Sequence, residues 1–530
     1  MRNFEEPGRS LAIGRKGMAA TSHPAATLVA IEILKAGGNA MDAAIATCAM
    51  QCVVEAGSTG IGGDCFVLWS REGTRDVIAY NGSGRAPKAA TLEWYQRAGI
   101  KTIERQSPHA VTIPGAVEAW ARLARDHGRM PLAELLAPAI ATAREGYAIT
   151  PRVVCDIGNQ HALLKAEPTL RRIFLHEGEV PPIGHIQHQR ELADTLDRIG
   201  REGSSAFYRG AVAQDMVAYL RGLGGLHTEE DFAAASGEYV KPITTQFRGR
   251  TVYECPPNGQ GIIALMILNI LSRFTPKSDP LALENLLTGI EASRLAYAAR
   301  DALIADTAMS RVPVDYLLSD ALADDLAGRI DPSRIIEPLP AFETTPHKDT
   351  VYISVVDQDR NVVSFINSVF HQYGSGLMAP KSGVLFHNRG QSFSLKSGHP
   401  NVIAPGKRPM HSIIPGMVAE GDRVALSFGV MGGHYQAFGH AQFLTKLYDH
   451  GMDLQSAMDL PRLFPLPGTI EIEIEDRLRQ QVGEQLIARG YKLQSPKWPI
   501  GGAQAIQIDW ERGVLIGGSD HRKDGCALGF

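Results

Sequence analysis

The chain has 530 residues, a net charge of −4, 44% hydrophobic and 21% charged residues, the composition of an ordinary folded protein. The absence of a basic excess speaks against nucleic acid as a partner, and no apolar run is long enough to span a membrane. Six cysteines (Cys48, Cys52, Cys65, Cys155, Cys255 and Cys526) show no CxxC pair, so core thiols are expected rather than disulfides or a zinc site. The first residues lack the apolar core and cleavage site of a signal peptide, which makes the cytosol the expected location.

Residues 25–35 read as a helix that stops at Gly37-Gly38. Asn39 is placed to cap the next helix, 40–54, with Asp42 in its first turn, where a negative charge suits the helix dipole. That helix is apolar on nearly every face and should be buried. A glycine-rich turn, Gly57-Ser-Thr-Gly-Ile-Gly-Gly63-Asp64, leads into a strand at 65–69. The stretch 131–337 reads as mostly helical. From 351 the pattern changes: 351–356 and 362–366 read as paired strands joined by the polar turn 357–361. A further strand at 424–428 runs into Gly429-Val-Met-Gly-Gly433. Strands at both ends with helices between them, and no flexible linker, predict one mixed α/β unit with a shared core.

Thr350 stands immediately before the first of the paired strands, in Pro346-His-Lys-Asp-Thr350-Val351. Alone it is an ordinary strand residue. Its setting changes that reading. The chain carries, in order, Gly17-Met-Ala-Ala-Thr21, Gly37-Gly-Asn-Ala-Met-Asp-Ala-Ala44, Gly60-Ile-Gly-Gly63, Ile113-Pro-Gly-Ala116 and Gly128-Arg-Met-Pro-Leu132. Gly374-Ser-Gly376, Gly406-Lys-Arg-Pro409, Met431-Gly-Gly433 and Gly518-Ser-Asp-His-Arg522 follow. With these motifs the sequence resembles the γ-glutamyltranspeptidases, a family of N-terminal nucleophile hydrolases, over nearly its full length.

The resemblance implies a four-layer αββα sandwich and a precursor that cuts itself between Asp349 and Thr350. The products are a large chain, 1–349, and a small chain, 350–530, forming one intertwined αβ unit; whether two such units pair stays open. After the cut, the Thr350 hydroxyl is the nucleophile. Its own α-amine, with an ordinary pKa of about 7.7–8.0, is the general base. This is the form of activated nucleophile that needs no histidine, metal or cofactor. The backbone N–H groups of Gly432 and Gly433 are implied as the oxyanion donors. Ser368 falls where the family carries a threonine that bonds the nucleophile.

The groups that hold the amino-acid end of a γ-glutamyl substrate do not carry over. Ser83 stands at the position of the carboxylate-binding arginine, with Arg85 two residues later as a candidate substitute. Ser392 replaces the ammonium-binding aspartate, Phe370 an asparagine, and His411-Ser412 a serine pair. The leading expectation is therefore an amidohydrolase acting on a small amide other than a γ-glutamyl one, oxamate-like or acylase-like. The alternatives are a true γ-glutamyltransferase or glutathione hydrolase with a rearranged pocket, and an uncleaved binding protein. His347, His371, His411 and His434 lie near these segments without metal-ligand spacing, so no metal is expected.

Overall fold

The computed structural model describes residues 8–336, 339 and 350–530. In chain order the main strands are β1 (Ala12–Gly14), β2 (Met18–Thr21), β3 (Asp64–Ser70), β4 (Val77–Gly82), β5 (Glu238–Val240), β6 (Ile243–Phe247) and β7 (Arg250–Glu254). They continue as β8 (Val351–Val356), β9 (Val362–Ser368), β10 (Gly416–Glu420), β11 (Arg423–Met431), β12 (Gly502–Asp509), β13 (Val514–Ser519) and β14 (Cys526–Gly529). They form two seven-stranded sheets, ordered β1-β13-β12-β11-β10-β7-β6 and β14-β2-β8-β9-β3-β4-β5. Both sheets combine strands from before and after Thr350, so neither part of the chain owns a sheet.

The side-chain alternation of the central strands builds the layers. In β8, Tyr352 and Val356 point into a core shared with Met417, Val424 and Ile506 of the other sheet. Ile353 and Val355, one residue out of phase, pack outward with helices α1 (Pro24–Lys35), α2 (Ala40–Val54), α3 (Ala116–His127) and α4 (Leu132–Glu145). On the far side, Val418, Leu426 and Phe428 pack against α5 (Gly261–Leu271), α6 (Leu283–Leu303) and α7 (Tyr435–Tyr448). The result is αββα. Hydroxyls bridge the two sheets: Ser354 Oγ donates to Ser427 Oγ at 2.8 Å, and Tyr352 lies 3.2 Å from the same atom.

Helix α2 is buried along its whole length, so its free N-terminal N–H groups must find partners inside the protein. Asn39 Oδ1 accepts from Met41 and Asp42, and Asp42 Oδ2 accepts from Asn39, a reciprocal capping box. The Ala40 N–H donates to Asp357 Oδ2 at 2.9 Å. Asp357 begins the turn between β8 and β9, so this bond anchors the hairpin that carries the candidate site. Cys48 and Cys52 are buried thiols on this helix. Among the described residues no helix is long and apolar enough to cross a membrane.

The stretch expected to be mostly helical also contains β5, β6 and β7, and β5 and β6 form sheet edges. The exposed residues of β5 and β6 blur the alternation by which strands are read from sequence. Strands β9 and β11 each run beyond the expected ends, to Ser368 and Met431. Both extensions reach the candidate site.

Candidate active site

Strand register assembles the site. In the β8–β9 hairpin Val351 pairs with Asn367, which sets the preceding Thr350 beside Ser368. Thr350 Oγ1 lies 3.2 Å from Ser368 Oγ, and both residues are buried. Ser368 pairs on its other side with Asp64 of β3. Close approach is possible because Gly63 has no side chain: a Cβ there would sit 2.3 Å from the Ser368 carbonyl oxygen. Beyond Ser368 the chain turns sharply. Phe370 adopts φ +79°, and its N–H donates to Ser368 Oγ at 2.9 Å.

The opposite sheet supplies the glycine pair. Gly432 (φ +122°) and Gly433 (φ +59°) follow β11 and turn the chain into α7, in backbone conformations that a residue with a side chain rarely adopts. Gln436, in the first turn of α7, donates to Thr350 Oγ1 at 3.4 Å and accepts from the Ile414 N–H at 3.0 Å. Gln260 braces the turn from below, donating to the carbonyls of Gly433 (2.9 Å) and Ser412 (2.7 Å). Arg300 in turn contacts Gln260 Oε1 and His434 Nδ1 at 3.1 and 2.9 Å. Thr350, Ser368 and the Gly432-Gly433 turn are thereby brought together. Asp349, on the other side of the expected cut, lies outside the described residues, as does His347.

The expected substrate-binding residues divide into two groups. Ser83 is buried, its hydroxyl donating to Asn81 Oδ1 at 2.7 Å and accepting from Asn258 at 3.2 Å. Arg85 turns to the Gly406 carbonyl at 3.1 Å, with Asp306 and Glu238 at 3.8 and 3.9 Å. Among the described residues none of these contacts is to the Thr350 cluster. Ser392 closes a short turn, and its carbonyl accepts from Asn401 at 2.5 Å. Phe370 and Ser412, by contrast, converge on a residue not singled out from the sequence, Arg389. Its Nη1 donates to Ser412 Oγ at 3.0 Å, and its guanidinium carbon lies 3.8 Å from the centre of the Phe370 ring.

His411 is fully buried and serves the framework. Its Nδ1 accepts from the Ile413 N–H, so Nε2 carries the proton and donates to Asp64 Oδ2 at 3.0 Å. Asp64 Oδ1 accepts from the N–H groups of Gly84 (2.9 Å) and Gly115 (3.2 Å). Burial alone would raise the Asp64 carboxyl, but His387, His411 and Arg389 outweigh it and hold it at about 2. Burial, with Arg389 adding to it, brings the His411 imidazole down to about 3. Near neutral pH the pair is a carboxylate and a neutral imidazole, a fixed hub for four loops. A groove of about 470 Å³ opens beside the cluster, lined by His371 and His434 together with Phe464, Glu473 and Trp498.

A two-sheet sandwich between helical layers, with a buried threonine heading a central strand, is the architecture of the N-terminal nucleophile hydrolases. The chain belongs to one family of them: it matches Gamma-glutamyltranspeptidase over residues 26–530. It is 35% identical to a glutathione hydrolase-like proenzyme of Bacillus subtilis, over 98% of this chain and 99% of that one. It is 33% identical to the oxamate amidohydrolase proenzyme of Klebsiella pneumoniae, again over 98% and 99%. The crystal structure of cephalosporin acylase from Bacillus halodurans superposes with a TM-score of 0.92 at 36% identity, covering 100% of this chain and 99% of that one. The chain is thus an enzyme of an amidohydrolase family whose members act on different amides.

Proposed function

We propose that this enzyme cuts itself before Thr350 and then hydrolyses a small amide, other than a γ-glutamyl one, through a Thr350 acyl-enzyme. The observation that carries the reading is the buried Thr350 hydroxyl, held by Ser368 and Gln436 beside the Gly432-Gly433 turn. In maturation the hydroxyl attacks the Asp349 carbonyl, the peptide nitrogen leaves as the new α-amine of Thr350, and water opens the resulting ester. In turnover that amine takes the hydroxyl proton as the oxygen attacks the substrate carbonyl. The proton passes to the departing amine, and water, deprotonated by the same group, releases the acid. Gly432 and Gly433 are the proposed oxyanion donors, each worth about 3 kcal/mol of barrier.

The choice of a non-γ-glutamyl substrate rests on the loss of an anion for the ammonium group. Ser392 stands at the position of that anion and Phe370 at that of an asparagine, and Asp64 has its oxygens committed to His411, Gly84 and Gly115. The wild-type protein should separate on a denaturing gel into 1–349 and 350–530, and Thr350→Ala should remain one chain. Intact-mass measurement showing an uncut wild type after long incubation would remove the proposal.

A further inference from the structure

Arg389 is 1% exposed, and among the described residues its side chain makes one hydrogen bond, from Nη1 to Ser412 Oγ. Among the described residues, Nε and Nη2 have no hydrogen-bond partner. These two nitrogens share one edge of the planar guanidinium, the fork that matches the two oxygens of a carboxylate. Buried donors are nearly always paired, and an unpaired buried charge costs more than a neutral group. Arg389 forms no ion pair among the described residues. Asp64, whose charge favours its protonated state through space, is hydrogen-bonded elsewhere. Arg85 differs on every count: it is partly exposed and already faces Asp306 and Glu238.

Two residues, Phe370 and Ser368, connect the guanidinium to the candidate nucleophile. Phe370 covers one face of the guanidinium, its N–H bonds Ser368 Oγ, and Ser368 Oγ lies 3.2 Å from Thr350 Oγ1. We propose that Arg389, assisted by Ser412, binds a carboxylate on the acyl part of the substrate, so that the enzyme hydrolyses monoamides of dicarboxylic acids. The inference rests on the reading of Thr350 as nucleophile. Water and the monoamide anion give the dicarboxylate and ammonium, and no other reactant is needed.

The test uses fully cleaved enzyme and matched pairs of amides differing in one charge: oxamate and oxamide, succinamate and succinamide, glutaramate and glutaramide. Ammonia release should favour the anionic member of at least one pair by about 30-fold or more in kcat/KM. The corresponding dicarboxylate should inhibit competitively. Arg389→Leu should remove that preference and abolish inhibition by the dicarboxylate, raising KM for the monoamide about ten-fold or more beyond any change it causes for the diamide. Arg389→Lys should recover part of the preference, because it restores charge without the fork. Equal loss on both members of a pair in a cleaved Arg389→Leu protein would overturn the assignment. If that variant does not fold, the wild type still decides: no preference for the anion and no inhibition by dicarboxylates overturn it. Ammonia from diamides alone refutes the carboxylate pocket and leaves Thr350 standing, whereas an enzyme that never cleaves itself refutes the reading beneath it.

Discussion

The two sides of the candidate site are built differently. On the Thr350 side, strand register and backbone turns place the groups: a hairpin sets Thr350 beside Ser368, and two positive-φ glycines lead into the helix that carries Gln436. On the proposed acyl-binding side, side chains from separate segments meet around Asp64, with His411 as a buried strut and Arg389 left, among the described residues, with an unpaired edge. Chemistry that depends on backbone position tolerates few sequences. Recognition that depends on side chains can be rewritten without moving a strand. The identity near one third to relatives named as an oxamate amidohydrolase and as a glutathione hydrolase-like protein fits that division.

The largest expected effect lies on the Thr350 side. Thr350→Ala should abolish self-cleavage and lower amide turnover by about 10⁴-fold or more, read by gel and by ammonia release. Gly433→Val comes next. A β-branched residue at φ +59° would shift the glycine turn, so maturation should slow and kcat fall by about 10²- to 10³-fold with the fold retained. Turnover at the wild-type rate would reduce Gly432-Gly433 to a simple turn.

Asp64→Ala tests the other side and should act mainly on stability. It leaves the N–H groups of Gly84 and Gly115 and the His411 ring without their acceptor, at a cost of about 3 kcal/mol, measurable by denaturant unfolding. An unchanged midpoint would show that the hub is not holding these loops. Gln436→Leu should lower kcat about ten-fold or more, through loss of the donor to Thr350, with little change in KM. The smallest effect is assigned to Arg85→Ala. Its guanidinium is occupied by Asp306, Glu238 and the Gly406 carbonyl, so kcat/KM for anionic and neutral amides should stay within about three-fold of the wild type. A selective loss for anionic amides would return Arg85 to the substrate pocket.

Much of the Thr350 side was legible because its parts are short motifs in the chain. The strand after Thr350, the cap at Asn39 and Asp42, and the glycines at 60–63 and 432–433 each announce a local geometry. The missing parts come from long-range packing. Gln260, the residue capping α5, and Gln436 in α7 converge from far apart in sequence, and no spacing rule links them. The strands at 238–247 are short and partly exposed, so neither helical nor strand periodicity marks them. Arg85 stands out in the sequence only through its nearness to the vacated arginine position. Arg389 lies three residues before Ser392, in the same short segment. Its charge, where the chain had given up an acidic residue, was the available signal, but only packing reveals that its fork is buried and unpaired.

The central claim is that the hydrolytic side is kept while the acyl-binding side is rewritten. The direct measurement is kcat/KM for glutathione against the monoamide panel, on one preparation of fully cleaved enzyme. On the proposal that Ser392 stands where the ammonium's anionic partner would be, glutathione should fall below the best monoamide by roughly 30-fold or more. If glutathione ranks first with ordinary enzymic efficiency, the pocket has been rearranged rather than rewritten, and the account of its substrate is wrong.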